Sequence, residues 1–137
     1  MDNETRISLD QFINDQIIVS ESQRTATNPN MDDGAEMDHW RVTLRRPGKR
    51  LTIYFSMGRG HDGKRPTAAD VLDCMASDSS TIENAQSFED WASELGYDTD
   101  SRKAHRTYAV CKRQAERLKK FLGDDAYESL LWNTERL

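Results

Sequence analysis

The sequence lacks the features that mark a membrane protein, a secreted scaffold or a metal centre. No stretch of its 137 residues approaches eighteen consecutive apolar side chains, so no transmembrane helix is predicted. Its first residues, Met1-Asp-Asn-Glu-Thr, have neither the basic nor the apolar region of a signal peptide. There are only 2 cysteines, Cys74 and Cys111, far apart and within helix-like patterns. That spacing excludes a disulfide framework and suits a reduced, cytoplasmic protein. The 3 histidines, His39, His61 and His105, show no HxxxH spacing, and two lone cysteines cannot build a structural zinc site. No nucleophile elbow is present for Ser–His–Asp chemistry. The expectation is a single compact domain over residues 1–137, without metal or cofactor and without catalysis.

What the chain has in quantity is charge, and it comes in blocks. The overall balance is −5, yet residues 1–40 carry 9 acids against 2 bases. Residues 41–65 reverse this with 8 bases, Arg41, Arg45, Arg46, Lys49, Arg50, Arg59, Lys64 and Arg65, against Asp62 alone. Residues 66–100 hold 9 acids and neither lysine nor arginine. Residues 101–122 hold 8 bases against Glu116, and the last segment is acidic again. Opposite blocks either neutralise one another on folding or survive as surface fields that recruit a partner of opposite sign.

Periodicity supplies the fold class. Ser8, followed by Leu9, Phe12 and Ile13, reads as a short capped helix, and the β-branched run Ile17-Ile18-Val19 reads as a strand ending near Glu21. Residues 22–38 are rich in turn formers and are expected to form a mobile loop. Trp40, Val42 and Leu44 alternate with Arg41, Thr43 and Arg45; beyond Pro47-Gly48, Leu51, Ile53 and Phe55 alternate with Thr52, Tyr54 and Ser56. That is a hairpin over about 39–57 with one apolar and one polar face. Thr67 with Asp70, and Ser87 with Asp90, have capping-box spacing for two helices. A long helix is predicted from about Ser101 to Leu122, stopped by Gly123, with a last short helix from Asp124 to about Trp132. The predicted architecture is α+β: a small antiparallel sheet, made of the hairpin and an N-terminal strand, covered on one face by about four helices.

On the long helix, Ala104, Tyr108, Cys111, Ala115, Leu118 and Leu122 fall within one arc of about 80°. Arg102, Arg106, Arg113, Arg117 and Lys120 fall on the opposite side, a basic stripe suited to an anionic partner. Cys111 lies in the apolar arc and reads as a small buried hydrophobe. Gly58 to Lys64 matches the GxxxxGK spacing of a phosphate-binding loop, but Arg65 and Pro66 stand where the metal-holding Ser or Thr is needed. Nucleotide hydrolysis is therefore not expected, although Arg59 and Lys64 suit a simple anion grip. In the acidic block, which holds no lysine or arginine of its own, stand Glu83, Glu89, Asp90, Glu94, Asp98 and Asp100, and Tyr97 beside them is a candidate interface anchor.

The segments Phe55-Ser-Met-Gly, Pro66-Thr-Ala-Ala-Asp-Val-Leu-Asp-Cys, Ser87-Phe-Glu-Asp-Trp, Gly96-Tyr-Asp-Thr-Asp-Ser-Arg and Phe121-Leu-Gly-Asp-Asp resemble small proteins encoded by bacteriophages and prophages. The likeness spans about residues 38–137 and brings no catalytic motif to transfer. It implies a small phage protein acting in a bacterial cytoplasm, a class that includes inhibitors of host defence such as anti-CRISPR proteins. The expected partner is then a host protein or ribonucleoprotein, a CRISPR effector among the candidates. The acidic residues 83–100 would face a basic nucleic-acid channel, and the basic hairpin would face acidic surface or guide RNA. The alternative is a small phage regulator that binds nucleic acid directly through the hairpin and the long-helix stripe.

Overall fold

The structure, a computed structural model, describes residues 6–26, 37–58 and 64–136. The chain is α+β. Its elements run β1 (Ile7–Ser8), α1 (Leu9–Gln16), β2 (Val19–Thr25), β3 (Met37–Arg46), β4 (Lys49–Gly58), α2 (Ala68–Asn84), α3 (Phe88–Glu94), α4 (Arg102–Leu122) and α5 (Asp124–Glu128). A π-helical turn, Ser129–Asn133, and β5 (Thr134–Glu135) follow. The residues group into two compact units, Met1–Asp73 with Thr134–Leu137, and Cys74–Asn133.

The first unit is built on an antiparallel sheet of order β2-β3-β4. The hairpin closes with Arg46 opposite Lys49 and only Pro47 and Gly48 between them. Gly48 has φ 75°, the left-handed second position that a type II turn requires, and Pro47 presets the first. Every second residue turns inward: Trp40, Val42 and Leu44 on β3, Leu51, Ile53 and Met57 on β4, all buried. The segment 22–38 departs from the expected loop. Residues 22–25 complete β2 and 37–38 open β3; only 27–36 lie outside the described residues. The strand was hidden because its inward positions are polar. Ser20 pairs with Leu44 and Ser22 with Val42, and Ser22 is buried with its hydroxyl donating to the Pro66 carbonyl at 3.3 Å. No apolar alternation marks such a strand.

Helix α1 starts as predicted, with Ser8 Oγ accepting from the Gln11 amide at 3.1 Å. It ends on Ile17 in the left-handed region, φ 55° and ψ 50°. The Ile17 amide donates to Asn14 O at 3.2 Å and the Ile18 amide to Ile13 O at 3.0 Å, the two bonds of a Schellman cap. Glycine usually holds this position, because a branched Cβ crowds the following carbonyl. Ile17 is also exposed, so its side chain contributes little burial. Ile17→Gly is expected to raise stability by about 1 kcal/mol, read as an upward shift of the urea midpoint; an unchanged or lower midpoint contradicts the strain. A parallel two-residue ladder, Ile7 with Thr134 and Ser8 with Glu135, completes the unit.

Helix α2 opens with a reciprocal capping box. The Asp70 amide donates to Thr67 Oγ1 at 3.1 Å and the Thr67 amide to Asp70 Oδ2 at 2.9 Å. The helix passes into the second unit, where the core comprises Met75, Ala76, Trp91, Ala92, Ala104, Ala115, Leu118, Phe121, Leu122, Tyr127, Leu130 and Leu131. The last helix is shorter than predicted, since α5 stops at Glu128 and the backbone widens into the π-helical turn. Helix α4 carries the two faces expected of it. Ala104, Ala115, Leu118 and Leu122 are buried and Tyr108 and Cys111 half-buried, while Arg102, Arg106, Arg113 and Lys120 are exposed and Arg117 half-buried.

Candidate functional site

The outward face of the three-stranded sheet holds three of the basic residues singled out above, Arg41, Arg45 and Arg50. Its cross-strand rows follow from the register: Val19, Arg45 and Arg50; Glu21, Thr43 and Thr52; Gln23, Arg41 and Tyr54; Thr25, His39 and Ser56. The rows are cross-linked by polar contacts. Thr43 and Thr52 share a hydroxyl–hydroxyl bond at 2.9 Å, His39 Nδ1 lies 3.0 Å from Ser56 Oγ, and Arg41 donates to Gln23 Oε1. Arg45 reaches Glu21 at 3.3 Å, with both side chains largely in solvent, so this ion pair orients more than it stabilises.

At the hairpin tip, Arg45, Arg46, Gly48, Lys49 and Arg50 line an open cleft of about 420 Å³. The chain brings four cationic side chains to one concavity because the two-residue turn sets Arg46 opposite Lys49 and Arg45 opposite Arg50. Like charges this close repel unless an anion joins them or neutral groups fix their heads apart. Arg46 is fixed in the second way, donating to Gln16 Oε1 at 2.7 Å.

The remaining members of the first basic block behave differently. Arg65 donates to the Ser22 carbonyl and its guanidinium lies 5.8 Å from the centre of the Trp40 ring, which Arg24 also approaches at 4.9 Å. Arg65 therefore pins chain to sheet. Lys64 is exposed, and Arg59 lies outside the described residues, as does most of the GxxxxGK segment.

The acidic candidates lie in the second unit and divide by local duty. Glu83 accepts the Tyr127 hydroxyl at 2.9 Å, which, after burial, helps push that phenol up to about 12. Asp90 closes the start of α3: its amide donates to Ser87 Oγ, and its carboxylate accepts the Gln86 amide, both at 3.1 Å. Asp98 accepts the Asp100 amide at 3.0 Å in the turn before α4. Glu89, Glu94 and Asp100 are exposed and their carboxylates hold no structural bond among the described residues. Tyr97 is 37% exposed and stacks on the buried Trp91, centroids 5.4 Å apart and planes 18° apart. Phe88 stacks in turn on His105 at 3.9 Å, so this corner of α3 and α4 is held by a continuous aromatic cluster.

Among the described residues no ion pair joins Glu83, Glu89, Asp90, Glu94, Asp98 or Asp100 to the α4 bases, and Arg102, Arg106 and Arg113 have no carboxylate partner. Cys111 is unsuited to nucleophilic work. Burial, with the Asp78 carboxylate and Cys74 close by, pushes its thiol up to about 11, so the thiolate is scarce at neutral pH. No three His, Cys, Asp or Glu side chains among the described residues cluster at metal-binding distance.

Sequence reasoning missed the neutral braces, Gln16 and Gln23, that hold Arg46 and Arg41. Both flank or belong to the strand whose polar inner face concealed it. No helix of the described residues is long and apolar enough to cross a membrane. Comparison of the chain with protein-family models, with curated proteins and with solved structures finds no match.

Proposed function

We propose that this chain is a non-enzymatic binding protein, an inhibitor that docks by charge complementarity on a host-defence ribonucleoprotein of the CRISPR-effector kind. The observation that carries the reading is the set of exposed carboxylates Glu89, Glu94 and Asp100 in the second unit, which hold no structural bond among the described residues, with the Tyr97 ring near them in the chain. Such carboxylates offer a nucleic-acid channel the same sign of charge as its own ligand. Preformed helix and aromatic packing keep the ordering cost of docking small.

The test uses the residues without a structural duty. Purified protein is added to reconstituted bacterial CRISPR nucleases and target cleavage is measured. The wild-type chain is expected to suppress cleavage by one of them, and Glu89→Lys with Glu94→Lys to weaken suppression by about tenfold or more, since like charges across an interface cost several kcal/mol. Asp90 is left intact because its loss would uncap α3. Suppression that survives the double reversal, or its absence across the effectors, overturns the reading.

A second reading, a small regulator that binds nucleic acid directly, is favoured by one observation of its own: the four-cation cleft at the hairpin tip. It predicts affinity for free nucleic acid that falls steeply with added salt.

A further inference from the structure

We infer that the outward face of the β2-β3-β4 sheet is a binding platform for single-stranded nucleic acid. The inference deepens the second reading by naming which form of nucleic acid the basic sheet accepts, and it is independent of the acidic surface of the other unit.

Charge comes first. Arg41, Arg45 and Arg50 rise from this face and Arg46 and Lys49 border it, against Glu21 as the single carboxylate in its rows among the described residues. A polyanion is the complementary partner. Successive rows on one face repeat about every 6.7 Å along the strands, so Arg45 and Arg41 stand two rows apart and can meet phosphates several nucleotides apart along one strand.

Between the arginines lies a group that a bare phosphate binder would not need. Tyr54 is 38% exposed on the same face and sits directly across from Arg41. An exposed ring on a sheet face, with an arginine in the same cross-strand row, is a surface on which an unpaired base stacks.

The exposed ring argues against a duplex. The faces of paired bases are stacked inside a double helix, so a ring displayed on a sheet face selects bases that are unpaired.

The experiment is fluorescence anisotropy with a labelled oligouridine RNA of about 12 nucleotides, within the site size of single-strand binders. Alongside it run the same RNA annealed to its complement and a labelled polyglutamate peptide. The single strand is expected to bind about tenfold or more tightly than either. Tyr54→Ala should weaken single-strand binding about tenfold, while Tyr54→Phe, which keeps the ring, should stay within about twofold. Arg41→Gln should lower the slope of log K against log salt by about 0.7 for each phosphate that the side chain neutralises. Circular dichroism of each variant checks that the sheet is intact. Duplex binding as tight as single-strand binding overturns the platform while leaving the nucleic-acid reading in place. Binding of neither form removes both, and equal affinity for polyglutamate, or indifference to Tyr54→Ala, reduces the face to an unselective basic surface and overturns the inference.

Discussion

Trp91→Ala is expected to cost about 3–5 kcal/mol of unfolding free energy, the largest loss from any single substitution in the second unit. Trp91 is 1% exposed, and its indole is enclosed by aromatic rings on several sides: Tyr108 at 5.1 Å edge-on, Tyr97 at 5.4 Å stacked and Phe88 at 6.2 Å tilted. Removing it opens a cavity whose rigid walls cannot collapse inward, and three neighbouring rings lose their shared partner. Tyr97→Ala, which removes a ring already partly in water, should cost about 1 kcal/mol. Urea denaturation followed by far-ultraviolet circular dichroism separates the two. A Trp91→Ala loss below about 1 kcal/mol would mean that the cluster is not a packed core.

The second large effect lies in the sheet. Leu44→Ala should cost about 2–5 kcal/mol, whereas Arg45→Ala, one residue along the same strand, should stay within about 0.5 kcal/mol. Leu44 is fully buried, with Leu51 opposite on β4 and Ser20 opposite on β2. Ser20 is too small to fill the vacated space, so the transfer loss and the cavity add. Arg45 points the other way, and its contact with Glu21 is exposed on both sides. The pair of variants thus measures the two-sidedness of the sheet directly. If Arg45→Ala proved as damaging as Leu44→Ala, the outward face would be a second core and not a surface open to a ligand.

Those two faces explain what could be read from the amino acids. The hairpin was legible because Trp40, Val42 and Leu44 alternate with charged or hydroxyl neighbours, and Pro47-Gly48 leaves the chain one way to turn. Helix α4 was legible because its apolar and basic residues separate cleanly at helical spacing. Caps at Ser8, Thr67 and Ser87 were legible from side-chain chemistry, and each accepts a backbone amide, as Ser101 also does at the start of α4. Strand β2 beyond Glu21 was not, because Ser20 and Ser22 occupy core-facing positions and local alternation says nothing about them. Its pairing is set by the neighbouring strand, a tertiary effect that overrides propensity.

The charged surfaces were partly legible too. Block structure identified which residues carry charge, but not which of them are already occupied. Glu83 and Asp98 look like Glu89 and Glu94 in a sequence, yet each of the first two accepts a hydrogen bond within the fold. Arg65 looks like Arg50, but one holds chain to sheet and the other lines the cleft. Only spatial pairing separates a charge that holds the molecule together from a charge left for a partner.

The ladder between β1 and β5 bears on the order of assembly. Ile7 meets Thr134 across nearly the whole chain, whereas β2, β3 and β4 find their neighbours within a few dozen residues. During synthesis on a ribosome, the hairpin leaves the exit tunnel early and can pair at once, but β1 must wait until Thr134 and Glu135 have been made. Contacts of such separation form slowly, because long loops close at an entropic cost that local pairing does not bear. The clasp between β1 and β5 is therefore expected to close after the sheet has paired, and its seam stays open while the residues between the two strands are translated.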